Sequence, residues 1–169
     1  YLKKIITDGG MVLFVGLTKQ SADTIKDLAN ETNMPYVVDR WIGGSLTNFK
    51  VIAGRVKKME EMEKQTKSGE LDKYTKKERL LFDRELKKME NHFGGLRKMT
   101  KLPDVVFVSS LKEGALPIRE AKRMKLKTVA IANTDSSPED VDYAIPANDR
   151  SKKSVDLILG AIKIELANK

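Results

Sequence analysis

Residues 40–50 read RWIGGSLTNFK and gather, within eleven positions, side chains able to meet an anionic partner. Arg40 offers a planar guanidinium that can grip a phosphate with two N–H groups or stack on a base. Trp41, the only tryptophan in the chain, fits two readings: a stacking platform for an unpaired base, or a buried core aromatic. Gly43 and Gly44 free the backbone to turn sharply or pass close to a partner. Thr47 or Asn48 can cap a helix whose apolar positions begin at Phe49, and Lys50 adds a cation to its first turn. A turn that only joined a strand to a helix would need neither the guanidinium nor the indole.

Other chemistries are weaker. Ser109, Ser110, Asp135 and Asp149 lie near expected strand exits, where an α/β enzyme would place its reacting groups. The single histidine, His92, is distant from them in sequence and reads as a surface or partly packed side chain, so no Ser-His-Asp set is expected. With one His and no Cys, neither a disulfide nor a multi-His or thiolate metal site can form. VLFVGLTKQ (12–20) runs from a strand into a glycine turn that offers Lys19 and Gln20. It lacks both the G-x-G-x-x-G and the G-x-x-x-x-G-K phosphate fingerprints, so turn chemistry is favoured over a nucleotide site. No catalytic residue, cofactor, metal or small-molecule substrate is indicated. A flavodoxin-like enzyme or nucleotide-binding domain, acting at the exits of strands one and three, is the alternative reading.

The elements that must position these groups follow from hydrophobic pattern. Short, β-branched, continuous apolar runs at 11–15, 36–38, 105–108, 128–132 and 143–145 read as strands buried on both faces of a parallel sheet. Helical periodicity over 22–29, 115–126 and 154–166 alternates with them. Alternation of this kind predicts an α/β fold: a three-layer, flavodoxin-like parallel sheet of order 2-1-3-4-5. One crossover is far too long. Phe49, Ile52, Val56 and Met59, then Phe82, Leu86, Met89, Phe93 and Leu96, predict two helices that zip into an inserted antiparallel α-helical hairpin. Met59, Met62, Met89 and Met99 are expected to fill its seam, and Thr75 with Glu78 forms a capping-box pattern at the second helix. The expected division is an α/β core over 1–46 and 102–169 with the hairpin over 47–101.

Charge singles out the same insertion. The chain carries 32 Lys plus Arg against 24 Asp plus Glu, a net of +8. Residues 50–101 hold 16 of those cations against 9 acids, while the remainder is nearly balanced at 16 against 15. A basic helical arm suits nucleic-acid phosphates. No apolar run spans a bilayer and no signal-peptide pattern opens the chain, so a cytosol-like, reducing setting with no membrane partner is the expectation.

Several motifs, in order, resemble the bacterial- or organellar-type family of small-subunit ribosomal protein S-two. They are VLFVGLTKQSA (12–22), RWIGGSLTNFK (40–50), FGGLRKM (93–99), LPDVVFV (102–108) and TVAIANTDSSPEDVDYAIPANDRS (128–151). The resemblance covers nearly the whole chain, and implies that a family N-terminal segment is missing ahead of Tyr1. It further implies a non-catalytic, structural constituent of the small subunit that serves translation in the cytoplasmic or organellar ribosome. Implied partners are small-subunit ribosomal RNA, on the solvent side near the junction of head and body, and neighbouring proteins that include ribosomal protein S-one. The candidate RNA-binding residues are Lys19 and Gln20 in the first turn, Arg40, Trp41, Asn48 and Lys50 in the central motif, and Arg55, Arg97 and Lys98 on the insertion.

Overall fold

Strands form where the chain reads as short, β-branched apolar runs. In this computed structural model, which describes residues 1–167 (the side chains of Glu70, Asp72 and Ala167 excepted), they are β1 (Val12–Val15), β2 (Tyr36–Val37), β3 (Val105–Val108), β4 (Lys127–Ala132) and β5 (Tyr143–Pro146). All pair in parallel, in the order β2-β1-β3-β4-β5, with Val12 opposite Val105 and Val15 opposite Val108. β1 and β3 are buried at every position, which is why they read as continuous apolar runs.

Alternate residues of those strands feed opposite faces, as the two-residue period of a strand requires. Leu13, Val15, Val106, Val108, Ala130 and Ala132 join one apolar cluster; Val12, Phe14, Val105, Phe107, Val129 and Ile131 join the other. Helices α1 (Leu2–Thr7), α2 (Ala22–Glu31) and α6 (Lys152–Ala167) supply the second cluster with Ile5, Ile25, Leu28, Val155 and Leu159. The first is covered by α3 (Phe49–Lys67), α4 (Lys76–Phe93) and α5 (Ala115–Arg123), through Ile52, Met59, Met62, Met89, Phe93 and Ile118. The result is the three-layer, flavodoxin-like α/β fold that the alternation predicts.

Three details differ from the sequence reading. The helix over 2–7 has no counterpart in it; the short run LKKIIT forms it by seating Leu2, Ile5 and Ile6 against the second cluster. β5 is not buried on both faces: Tyr143 is 46% exposed and the other three positions are at most half-buried, because β5 is the edge strand. α5 stops at Arg123, three residues early, as Lys125 turns into the left-handed region at φ +56.

The long insertion is helical, as its periodicity predicts. Thr75 opens α4 with a full capping box: its backbone N–H donates to Glu78 Oε2 at 2.9 Å and its Oγ1 accepts from the Glu78 backbone at 3.4 Å. α3 and α4 are bridged by Lys58 Nζ and Glu85 Oε1 at 2.9 Å. The four expected methionines, 59, 62, 89 and 99, are all buried. Phe49, Val56, Phe82 and Leu86 are only half-buried at the margin. The best-buried part of the seam is thus continuous with the sheet: α3 supplies the layer that any β2-to-β3 crossover must lay over this face. In the 3₁₀ turn Gly94–Leu96 the chain passes so close to β2 that a Cβ on Gly95 would lie 2.2 Å from the Tyr36 carbonyl oxygen. Only glycine fits there.

Candidate nucleic-acid interface

In a parallel sheet every strand exits at the same edge, so the segments after β1, β2 and β3 meet there. The loop after β2 is organised by one carboxylate. Glu120, on α5, is 5% exposed. Its Oε1 accepts the Trp41 indole N–H at 3.0 Å and the Gly44 amide at 2.8 Å. Its Oε2 accepts the Leu46 and Thr47 amides at 3.0 and 3.2 Å and the Thr47 hydroxyl at 3.4 Å. Burial pushes this carboxyl up, but the Trp41 indole and the three amides outweigh it and hold it below the ordinary 4.5. To wrap the anion the backbone must take φ +90 at Gly44, a conformation that favours glycine.

That arrangement corrects the placement of Trp41. The ring is 6% exposed and packs in the first cluster, and its only donor is engaged by Glu120. It is a core aromatic with no face open to a base. The exposed Thr47 spends its hydroxyl on Glu120, and neither it nor Asn48 caps α3 through its side chain. The Asn48 side chain is exposed at the helix start, and Lys50 is exposed two residues on, in the first turn.

Arg40 is exposed and has no ion-pair partner among the described residues. Its neighbour Asp39 faces His92 instead, with Oδ2 3.2 Å from Nδ1. The approach is off-line, and Nδ1 completes no hydrogen bond. His92 is the partly packed histidine expected from sequence, its side chain 22% exposed. Arg40 therefore does not pin the turn by pairing with Asp39.

The remaining candidates divide into groups. Lys19 is exposed and Gln20 half-buried at the exit of β1, on the same sheet edge as Arg40. Arg55 is exposed on α3, and Lys98 is exposed on the segment returning to the start of β3, at the opposite edge. Arg97 is committed within the protein: Nη1 donates to Glu63 Oε2 at 2.8 Å, and Nη2 bonds Glu63 Oε1 and lies 3.7 Å from Glu90. Its bond to Glu63 raises the guanidinium and depresses the carboxyl. Arg97 therefore ties α3 to the segment after α4 rather than standing ready for RNA.

The groups at the other strand exits satisfy one another. Ser109 Oγ donates to Ser21 Oγ at 2.7 Å, and Ser110 Oγ to Asp149 Oδ2 at 2.6 Å. Asn133 Nδ2 holds the other Asp149 oxygen at 2.9 Å. Asp135 takes Lys112 at 3.0 Å and Arg150 at 2.6 Å. Ser109 donates to a hydroxyl and Ser110 to a carboxylate, and among the described residues neither is bonded to an imidazole.

Glu120 is the residue that sequence reasoning missed. Its signal was an acid on the inward stripe of a helix, beside Pro117, Ile118 and Ala121, all buried. An acid there implies a donor set waiting elsewhere in the chain. Over residues 1–167 the chain matches the protein family described as Ribosomal protein S2.

Proposed function

The chain belongs to the ribosomal protein S2 family, and from that premise we propose that it binds small-subunit ribosomal RNA and neighbouring ribosomal proteins. As a member it is a structural protein of the small ribosomal subunit, serving translation in a cytoplasmic or organellar ribosome. Among the described residues no helix is long and apolar enough to cross a membrane. The neighbours include ribosomal protein S-one, and the role is support of subunit assembly. Residues 47–101 act as a basic arm on the α/β core of 1–46 and 102–169. Lys19, Gln20, Arg40, Asn48, Lys50, Arg55 and Lys98 are the RNA contacts, while Trp41 and Arg97 serve the protein's own packing.

One observation carries this reading. Glu120 takes the Trp41 indole, three loop amides and the Thr47 hydroxyl, and the guanidinium at the head of the loop is left exposed, with no ion-pair partner among the described residues. Phosphate contacts position such a protein on RNA, and irregular RNA supplies the shape it fits.

The test is affinity of the full chain for transcribed small-subunit ribosomal RNA across a salt series. Affinity should fall steeply, because each neutralised phosphate releases counterions. Arg40→Ala should weaken binding about tenfold or more, the loss of one charge-assisted contact, with the melting temperature unchanged. A flat salt dependence would reject phosphate-led binding.

A further inference from the structure

We propose that Glu120 is a positioning residue for RNA recognition: it touches no RNA, and fixes the 41–47 loop so that Arg40 before it and Asn48 and Lys50 after it stand at a set spacing. The inference rests on the RNA-binding reading above. Closing a strand-to-helix loop does not require a buried charge, and burying one is costly unless every acceptor is filled. Here every acceptor is spent on a single loop, 73 to 79 residues away in sequence.

Donors from Trp41, Gly44, Leu46 and Thr47 converge on the two oxygens of one carboxylate, so the loop is curled around the anion. The curl needs Gly44 at φ +90. What the curl turns inward is polar backbone; what it leaves outside are the side chains of Arg40, Asn48 and Lys50, all exposed. Asp39, the nearest acid in sequence to Arg40, lies on the His92 side, 3.2 Å from Nδ1, and forms no ion pair with Arg40 among the described residues.

Electrostatics alone predicts the opposite outcome, which makes the proposal easy to test. Removing a negative charge beneath a basic surface should tighten RNA binding. Removing the organiser of the loop should weaken it. Glu120→Gln keeps the shape but turns an amide N–H₂ toward donors, so the loop loses part of its anchor.

The experiment measures affinity of the full chain for transcribed small-subunit ribosomal RNA over a salt series, for the parent, Glu120→Gln, Arg40→Ala and the double variant. The expected result is that Glu120→Gln weakens binding at least fivefold and lowers the salt slope by about 1–2, the loss of one or two phosphate contacts. Adding Arg40→Ala should then cost little more, since the Arg40 contact is among those that Glu120 positions. A merely structural role would reduce the folded fraction and leave the slope unchanged. An unchanged slope, tighter binding, or losses that simply add would overturn the proposal. If Glu120→Gln does not fold, Gly44→Ala strains the same curl from the loop side and should lower the slope equally; a parental slope there overturns it. A parent chain that does not bind RNA at all removes the underlying reading, a result distinct from each of these.

Discussion

Trp41 has one polar atom, and the protein uses it internally. The indole N–H reaches Glu120 Oε1 at 3.0 Å while the ring sits 6% exposed among the first cluster. Trp41→Phe keeps most of the buried area and removes that single bond to a charged acceptor, so it should lower stability by about 1.5–3 kcal/mol. Urea denaturation followed by circular dichroism would measure it, since the fluorescent reporter is lost. A stacking tryptophan would give the reverse pattern, with stability intact and RNA affinity lost. Type and spacing left the two roles of Trp41 open, because both ask for a large aromatic beside a turn. The deciding partner lies 79 residues away, beyond the reach of any local pattern. The partner of Arg97 was hidden for the same reason: its basicity was visible in the sequence, but its engagement by Glu63 depends on how the chain returns from α4. Arg40 was legible as an exposed cation because it follows the strand-like run by a few residues and lies ahead of a glycine turn, on the surface.

At the level of elements, the inserted helices share a core with the sheet, and burial along their seam is graded. Met59 is fully buried, while Leu86 is only half-buried at the margin. Met59→Ala should therefore cost about 2–4 kcal/mol, and Leu86→Ala roughly half of that because less apolar area leaves water. Equal losses at the two positions, measured by chemical denaturation, would mean that the seam is a uniform zipper independent of the sheet. Strand positions and the capping box at Thr75 were readable from local periodicity and fixed offsets between residues, and the order β2-β1-β3-β4-β5 from the strand-helix alternation and the fold class it implies. The sharing of one core between insertion and sheet was not. Heptad-like spacing says that a face is apolar, and is silent on whether a helix or a strand covers it. The exposed edge at β5 escaped for a related reason: a short apolar run reads alike at the centre and at the rim of a sheet.

Across the whole molecule, three carboxylates besides Asp135 join segments that are distant in sequence, and all are held below their ordinary values, as Asp135 is by Lys112. Glu120 is one, where the Trp41 indole and loop amides outweigh burial. Glu63 is lowered by its bond to Arg97, joining α3 to the chain after α4. Asp142 is lowered by Lys127 first and, against burial, by the Thr128 amide and hydroxyl, joining β4 to the turn before β5. A depressed folded-state value means that the unfolded chain takes up protons first as the pH falls. Stability from these joints is then complete above the ordinary values of 4.5 and 3.8 and is lost as the pH drops through the folded-state values. Charge acts in the same direction, because a chain already at +8 becomes more positive as its acids are neutralised. The melting temperature should hold steady from pH 7 to about 5 and fall progressively below that. Added salt should recover the part due to self-repulsion, which is screened over about 10 Å at 0.1 M, and leave the part due to buried Glu120. Glu120→Gln should begin from a lower melting temperature at pH 7 and lose less of it on acidification, because it has no proton to gain there. A variant whose acid profile runs parallel to that of the parent would show that Glu120 contributes nothing to the pH dependence, and would shift the cause to self-repulsion and the other two joints.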